Sequence, residues 1–425
     1  MSAEELRARI LELGTKIDFH KELLKKLQND KSLLQRQLNA VLDPVARLPV
    51  EISSEIFQQS LSPFPKLGAS HIPMLLLNVC NTWKYIALST PDLWKVIQIE
   101  FPCTDDLALL LPVWFQHARN RPVSVFLRGD LSGRLNDSVS DVIWGYGTQL
   151  RHLEALDCKD EDEEDVDIDL FGRTTVEPLP VLEHLMIRST FDDRWYYPYQ
   201  IFELLRLSPN LAECVLDNIH YPNRELADEK MVHVSLRRLT FGERKDLVRD
   251  DCDDAMLNYL TLPALEVLSL PMRTVVSADL LRFIERSAPP LQELVMGWQY
   301  PEKDIIHLHE CLHLIPSLAR FQMWGPEIPI VADLFAALAD SPSLLPNLRR
   351  LIIHTFTLYT DFIPDSFWRT LLRMVSTRHV QLHLGFFREA PPPDIFAALQ
   401  ELVNDDVEIH LINGENRDII WDGLE

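Results

Sequence analysis

The sequence is poor in glycine and contains no long hydrophobic run. Only 13 of its 425 residues are glycine, and neither a glycine-rich phosphate loop nor a GxSxG nucleophile motif occurs. Its longest apolar run, residues 107–115, is about half as long as a membrane-spanning helix requires. These absences argue against a nucleotide-cradling enzyme, a serine hydrolase of that type and a membrane-spanning protein.

Basic charge and paired cysteines are also scarce. Lys and Arg number 41 against 64 Asp and Glu, a net charge of −23, and the basic patch that nucleic acid or an anionic membrane would need is not visible. The six cysteines are scattered without a CxxC pair, which is typical of reduced cysteines. The N-terminus is charged from Glu4 onward, unlike a signal peptide. We therefore expect a protein of the cytoplasm, the nucleus or both that binds neither nucleic acid nor membrane.

The first 42 residues carry a heptad pattern. Steps of 3 and 4 connect eleven positions, nine of them apolar: Leu6, Ile10, Leu13, Ile17, His20, Leu24, Leu27, Lys31, Leu34, Leu38 and Val41. The pattern predicts an amphipathic or coiled-coil helix over residues 1–42, which ends before Pro44. Two arrangements remain open: a dimer, or one helix packed on the following residues or on another protein. A stable parallel homodimer is not expected, because Lys16 would face Lys21 of the second chain and Lys31 would lie in the seam.

Residues 43–97 predict a small helical domain with more apolar surface than it can bury. Pro49 suits the first turn of a helix, where its missing N–H costs nothing. Apolar residues then follow at helical spacing on one predicted face of each of two helices, which a proline-rich turn separates: Ile52, Ile56 and Phe57, then Val79, Trp83 and Ile86. Part of this surface must face a partner or the rest of the chain.

The same stretch resembles the F-box, through Leu48-Pro49, the apolar series after it and the closing segment 86–94. That segment is similar to one in the F-box proteins that filamentous fungi carry in large numbers, whereas the long connection at 62–73 departs from the family pattern. F-box modules dock substrate receptors onto the Skp adaptor of cullin–RING (SCF-type) ubiquitin ligases. The resemblance therefore implies a set of adaptor-binding residues: Leu48, Pro49, Ile52, Ile56, Phe57, Leu61, Val79, Trp83, Leu93 and Trp94.

Beyond residue 98 the chain repeats itself. Seven segments share an LxxLxL pattern, and their first apolar anchors lie 25 to 30 residues apart: Leu182, Leu211, Leu236, Leu265, Leu291, Leu318 and Leu348. Degenerate copies lie at 122–128, 149–156, 379–385 and 407–413. The motif and its period resemble leucine-rich repeats, whose units each supply a strand and a helix and bury their leucines by stacking.

We therefore predict an α/β fold with three parts: an N-terminal helix (1–42), a three-helix F-box-like domain (43–97) and a leucine-rich-repeat-like α/β solenoid with a parallel sheet (98–425). An ordinary βαβ domain is the alternative, which the sustained period disfavours. Residues 157–169 include nine carboxylates among thirteen residues and are predicted to be an acidic insertion that forms a disordered loop. A docking strip for a basic partner is a second interpretation of that insertion.

One motif suggests metal chemistry. His309-Glu310-Cys311-Leu312-His313 matches HExxH, in which two histidines on one helix face bind zinc and the glutamate acts as a base. The motif falls in the helical half of a repeat, Pro316 follows it closely, and no third histidine continues the pattern. We therefore predict no bound zinc, no cofactor and no catalytic residue, with a zinc peptidase as the disfavoured alternative.

A target-binding surface is predicted from the strand alternation. Residues between the leucines of a strand point away from the core and would line a concave face. In two late repeats they are Arg320, Trp324, Arg350 and His354, residue types that dominate binding hot spots. We expect these four residues to stand side by side and to bind an acidic or phosphorylated segment of a protein target.

The combination predicts the substrate-recognition subunit of an SCF-type ubiquitin ligase. The F-box-like domain would bind a Skp-family adaptor and, through it, cullin, and the repeats would bind an unknown protein target. Ubiquitin transfer would belong to the recruited ligase, so the chain itself would not be an enzyme. The alternative within the same class is a binding scaffold that uses the adaptor without directing degradation.

Overall fold

A computed structural model gives the structure of most of the chain. The residues that it describes are 3–66, 68, 71–131, 133–134, 137–158, 166–172, 174–190, 194–217, 219, 230–242, 253–274, 277–297, 305–355, 363–387, 390–405, 407–413 and 418–420.

Twelve α-helices form within the described residues. They are α1 (Ala3–Leu42), α2 (Val50–Gln59), α3 (Leu76–Val79), α4 (Asn81–Ser89), α5 (Asp106–Ala118), α6 (Asp137–Gly145), α7 (Pro198–Leu207), α8 (Ser277–Ser287), α9 (Ile305–His313), α10 (Ile328–Asp340), α11 (Asp365–Arg378) and α12 (Pro393–Asn404). Proline occupies the first turn of α7, α10 and α12, where its fixed φ suits a helix and its missing N–H is not needed.

Seventeen strands form in the same part of the chain. They are β1 (Val96–Phe101), β2 (Val123–Gly129), β3 (Gly133–Arg134), β4 (Leu150–Asp157), β5 (Val166–Asp169), β6 (His184–Ser189), β7 (Arg194–Tyr196), β8 (Glu213–Leu216), β9 (Met231–Val232), β10 (Arg238–Phe241), β11 (Leu260–Thr261), β12 (Val267–Thr274), β13 (Glu293–Gly297), β14 (Arg320–Trp324), β15 (Arg350–His354), β16 (Gln381–Phe387) and β17 (Ile409–Asn413). Each of the seven LxxLxL segments overlaps one of these strands.

The chain divides into two compact units. Unit 1 comprises residues 1–99 and 109–124, and unit 2 comprises residues 100–108 and 125–425. Unit 1 therefore contains α1 and the residues that resemble an F-box, whereas unit 2 contains the repeated segments.

Unit 2 is built on a large parallel sheet. Its strands follow one another in the order β2-β4-β6-β8-β10-β12-β13-β14-β15-β16-β17, and the pairs from β4 onward are parallel. Because each strand is added on the same side of the one before it, right-handed crossovers place the intervening helices on one face. The predicted α/β class with a large parallel sheet is confirmed.

Among the described residues, those on the other face of this sheet, which we call the open face, are less buried. In β14 and β15 the side chains of Phe321, Met323, Leu351 and Ile353 are fully buried, while the residues between them remain partly exposed. The same alternation occurs in β6, β8 and β10. It follows from the period of two in a strand, with the apolar set facing the helices.

Unit 1 has a core of aromatic side chains. Trp94 and Trp114 are both buried, and their ring centroids lie 5.1 Å apart in an edge-to-face arrangement. Their indole N–H groups donate to the carbonyl oxygens of Ala87 and Trp94, each at 2.9 Å. Both polar groups of this core are thus satisfied, which a buried indole requires.

Both ends of the acidic stretch at 157–169 are ordered parts of unit 2, so the prediction of a disordered loop is wrong for these residues. Asp157 is fully buried at the end of β4, and its carboxylate accepts the Leu131 N–H at 2.8 Å. Val166–Asp169 form β5, which pairs with β3 and β7 in a small parallel sheet. The acidic residues between them, 159–165, lie outside the described residues. The interpretation of this stretch as a docking strip for a basic partner therefore stays a prediction.

Candidate partner-binding surfaces

Asp43 organises the helical module that residues 43–97 form in unit 1. Its carboxylate accepts the Val45 N–H at 2.9 Å, and its second oxygen accepts the Trp83 indole N–H and lies 3.9 Å from the Cys80 thiol. One side chain thereby ties the start of the module to α4 and to the residue that precedes it. The sequence reasoning missed Asp43, although an Asp before a proline and a helix is a common turn signal.

Several predicted adaptor-binding residues form the interior of this module. Phe57 is only 2% exposed and packs on Trp83, with ring centroids 4.8 Å apart. Leu93 and Trp94 are fully buried. These three side chains cannot touch a partner in this structure, so their interpretation as contact residues is corrected to that of core residues. Val79, Trp83 and Leu61 are half-buried.

The remaining predicted residues lie on the surface. Leu48, Ile52 and Ile56 are 41%, 51% and 43% exposed, and Pro49, which precedes α2, is also exposed. Ile52 and Ile56 are four residues apart and therefore lie on one side of α2, and Leu48 lies in the extended segment just before the helix; we call these three residues the α2 stripe. An exposed apolar stripe of this kind is typical of a protein-binding surface.

The faces of α2 differ from the prediction that Ile52, Ile56 and Phe57 share one side. The buried residues of α2 are Ser53 and Phe57. Ser53 can face inward because its hydroxyl donates to the Val45 carbonyl at 3.3 Å, which satisfies the polar group.

The N-terminal helix leaves its heptad seam uncovered. The nine apolar seam residues of α1 are 44–74% exposed. Contact with the module occurs near the C-terminal end of α1, where Arg36 and Asn39 donate hydrogen bonds to Asn78 and to the Val79 carbonyl at 3.0 Å. The alternative in which the seam packs on the following residues is therefore wrong.

On the open face of unit 2, the parallel register arranges side chains in rows that cross the strands. The first row holds His152, His184, Glu213, Arg238, Val267, Glu293, Arg320, Arg350 and Gln381. The second row holds Glu154, Met186, Val215, Thr240, Ser269, Val295, Gln322, Ile352, His383 and His410. From β6 to β15 the second row is uncharged, so a neutral strip runs beside a charged one.

The charges of the first row neutralise one another in part. Arg320 donates to the Glu293 carboxylate at 3.0 Å, and Arg238 lies 3.8 Å from the carboxylate of Glu213. Glu213 also bonds His184 at 3.1 Å. These pairs are at least partly exposed, where an ion pair contributes about 0–1 kcal/mol. Arg350 differs, because its guanidinium donates to the neutral amide of Gln381 at 3.0 Å.

The four predicted target-binding residues are brought together by β14 and β15. Arg320 is the register partner of Arg350, and Trp324 is the partner of His354. The Trp324 and His354 rings are stacked, with centroids 4.1 Å apart and planes 21° apart. The expectation that these residues stand side by side is confirmed; their role in binding a target stays a prediction.

Gly385 makes room for His354. It is the register partner of His354 on β16, and a Cβ atom there would lie 2.9 Å from His354 Nδ1. Burial, together with the neighbouring His383, lowers the pKa of His354 to about 4, so the imidazole is neutral at physiological pH. No sequence pattern indicates this packing, because it depends on a glycine, which has no side chain, at one position of the next repeat.

The four predicted target-binding residues consequently carry less unpaired positive charge than two arginines and a histidine suggest. Arg320 is paired with Glu293, and His354 is neutral. Among the described residues, Arg350 is the member of the four that has a positive charge without a carboxylate partner. A strongly acidic target is therefore less well matched than a target with one anionic group beside apolar and aromatic groups.

A cavity of about 280 Å³ extends this surface toward the C-terminal strands and is lined by Arg350, Ile352, His383, Glu408 and His410 among others. The His354, His383 and His410 rings follow one another at 5.4 and 5.9 Å. Asp418 accepts a hydrogen bond from His410, the last residue of the second row, at 2.6 Å. Burial lowers the pKa of His383, and the neighbouring His410 adds to the effect.

The HExxH residues occupy α9 without a metal-binding arrangement around them. Cys311 and Leu312 are buried, and burial raises the pKa of the Cys311 thiol to about 12. His313 is exposed at the end of the helix. In the part of the chain that the structure describes, no three His, Cys, Asp or Glu side chains gather as a metal site would need.

None of the described helices is both long and apolar enough to span a membrane. Neither a protein-family model nor a curated protein matches the chain. The surfaces described above are therefore the basis for assigning a function.

Proposed function

We propose that this protein is the substrate-recognition subunit of an SCF-type cullin–RING ubiquitin ligase. The module of residues 43–97 binds a Skp-family adaptor through the α2 stripe and Pro49. Unit 2 is a leucine-rich-repeat-like solenoid, and its open face binds a protein target. The chain itself is not catalytic, and it contributes proximity and orientation to the ubiquitin transfer that the recruited ligase performs.

The observation that carries the proposal is the exposure of Leu48, Ile52 and Ile56. These residues belong to the motif that resembles an F-box, and they remain 41–51% exposed although the module has a well-packed aromatic core. Folding of the module alone does not explain apolar side chains at these positions. Docking onto an apolar partner surface does, because it removes them from water.

The open face supports the second half of the proposal. Its neutral strip includes partly exposed Met186, Val215 and Ile352, and it passes next to the stacked Trp324 and His354. An extended or helical segment with apolar side chains can lie across the strands there. Arg350 then supplies one charged contact for a carboxylate or phosphate of the target.

Binding of a purified Skp-family adaptor tests the first half of the proposal. The double variant Ile52→Ala/Ile56→Ala should weaken adaptor binding by roughly tenfold or more, as the loss of two interface anchors does. The matched control is Leu109→Ala/Val113→Ala, also an i,i+4 pair of exposed apolar residues in unit 1, with 74% and 40% exposure. The control should bind like the wild type.

Failure of the wild type to bind the adaptor, or equal binding by both double variants, would refute the assignment. The scaffold alternative is separated by a second measurement. A receptor that directs degradation recovers cullin with the adaptor and supports ubiquitination of a captured target. A scaffold recovers the adaptor without target ubiquitination.

A further inference from the structure

The α1 seam is an apolar surface that needs an occupant. It runs along a helix of 40 residues, about 60 Å in length, and its nine apolar side chains are all at least 44% exposed. The helix meets its own module through Arg36 and Asn39, which occupy outer heptad positions away from the seam. The order of residues along the seam identifies the occupant.

The seam is complementary to itself when read in the opposite direction. In a two-fold symmetric pair, if residue i contacts residue j of the second chain, then j also contacts i. Two antiparallel copies can be aligned so that the numbers of each contacting pair total 51: Ile10 with Val41, Leu13 with Leu38, Ile17 with Leu34, His20 with Lys31 and Leu24 with Leu27. Every apolar seam residue from Ile10 to Val41 then meets an apolar seam residue of the second chain.

We propose that α1 binds a second copy of this chain as an antiparallel coiled coil over residues 10–41. The two polar seam residues determine the orientation. In a parallel pair, Lys31 would meet the partner's Lys31, with two ammonium groups in one layer. In the antiparallel pair, Lys31 meets the partner's His20, and a neutral imidazole accepts a hydrogen bond from an ammonium group.

The same layer fixes the register. Sliding the second helix by one heptad would place Lys31 against the partner's Leu13 and His20 against the partner's Leu24. A polar group opposite a leucine loses its hydrogen-bond partner, and coiled coils use this cost to select one alignment.

The flanking lysines agree with the antiparallel orientation. A parallel pair would set Lys16 against the partner's Lys21. In the antiparallel pair, Lys16 comes beside the partner's Gln37 and Lys21 beside the partner's Gln28. Lys16 and Lys21 also have acidic neighbours on their own helix, Glu12 at 2.5 Å and Asp18 at 3.5 Å, so the flanks contribute less than the seam layer does.

The orientation also separates the helical modules. Because Val41 lies against the partner's Ile10, the two Val41 residues are 31 positions apart along the coiled coil, or about 46 Å. A parallel pair would bring both modules to the same end.

Cysteine pairing in the full-length protein tests the orientation. Leu13→Cys and Leu38→Cys are made in separate chains, mixed and oxidised, and the linked peptides are identified by mass spectrometry. A disulfide between positions 13 and 38 of different chains, with little linkage in either variant alone, supports the proposal. Linkage of Leu13→Cys to itself shows a parallel pair and overturns it, as does a single-chain mass in light scattering at tens of micromolar.

Charge substitutions test the His20–Lys31 layer. His20→Glu should tighten the antiparallel dimer roughly fivefold, because it creates two carboxylate–ammonium contacts. His20→Glu/Lys31→Glu should cancel the gain, because carboxylate then faces carboxylate. The outward-facing Asn29→Glu adds the same charge as His20→Glu and should leave the dissociation constant unchanged. If His20→Glu weakens the dimer instead, the assigned layer is overturned. That result is expected of a parallel pair, in which the substituted residue 20 of one chain faces the substituted residue 20 of the other.

Discussion

At the scale of single residues, Asp43 connects more of unit 1 than its partly exposed position suggests. The carboxylate accepts hydrogen bonds from the Val45 backbone and the Trp83 indole. The Trp83 ring in turn covers Phe57 at 4.8 Å. Losing the acceptor would leave a half-buried indole N–H and a backbone N–H without their partner.

Asp43→Ala should lower the free energy of unfolding of unit 1 by about 1–3 kcal/mol, the usual cost of orphaning buried donors. Asp43→Asn keeps one acceptor oxygen and should lose less. Hydrogen exchange of the amides in α2 and α4 measures the effect within unit 1. The matched control is Asp18→Ala, whose carboxylate is 77% exposed on α1. Equal exchange in the Ala variant and the wild type would contradict the role of Asp43.

His354 makes the stability of unit 2 depend on pH. Its pKa of about 4 in the folded state lies below the value near 6.5 of an unfolded histidine. The unfolded chain therefore binds the proton more readily, and the contribution of neutral His354 is complete above pH 6.5. It is lost as the pH falls from 6.5 to about 4.

His354→Gln should reduce the loss of stability between pH 7 and pH 4.5. The measurement is the free energy of unfolding in urea at several pH values. His313→Gln, at the exposed end of α9, serves as the control and should lose as much stability as the wild type. An unchanged acid profile in His354→Gln would mean that the stacked, half-buried histidine is not what responds to acid.

At the scale of elements, the scarcity of glycine affects how helices end. Three helices, α5, α8 and α11, are followed by a non-glycine residue with positive φ: Arg119 at 57°, Ala288 at 42° and His379 at 49°. Glycine is the usual residue there, because a Cβ atom is disfavoured in the left-handed region. These helix ends therefore carry a small conformational cost.

Ala288→Gly should raise the free energy of unfolding by about 0.5–1 kcal/mol, because Ala288 is exposed and the change relieves its backbone conformation. The opposite sign is expected for Ala336→Gly inside α10, where glycine costs about 1 kcal/mol. Thermal unfolding of the two variants measures both effects. A lower melting temperature for Ala288→Gly would show that the helix end prefers alanine.

The sequence predicted the elements of unit 2 better than the packing of unit 1. The LxxLxL spacing located the strands, and equivalent positions within the motif placed Arg320 beside Arg350 and Trp324 beside His354. In α2, hydrophobicity could not indicate that Ser53 turns inward while Ile52 turns outward. That choice depends on a hydrogen bond between the Ser53 hydroxyl and Val45, which no periodic pattern records.

At the scale of the whole molecule, the net charge of −23 opposes folding through self-repulsion. Salt shortens the Debye length from about 30 Å at 0.01 M to about 8 Å at 0.15 M. At pH 7 we expect the melting temperature to rise with this change, on the order of 2 °C, as about 1 kcal/mol produces in a large domain. At pH 5.0, near the isoelectric point of the sequence, the rise should vanish. A fall with salt at pH 7 would mean that ion pairs outweigh the repulsion.

The unreversed strand order of unit 2 has a consequence for synthesis on the ribosome. From β2 to β17, each strand of the large sheet docks on one that precedes it in the chain. A nascent chain therefore never has to wait for residues that have not been translated before it can add its next strand. Each crossover brings together segments that are close in sequence, which keeps loop-closure entropy small. Unit 2 can thus assemble from its N-terminal end at the pace of translation, exposing one unpaired strand edge at a time.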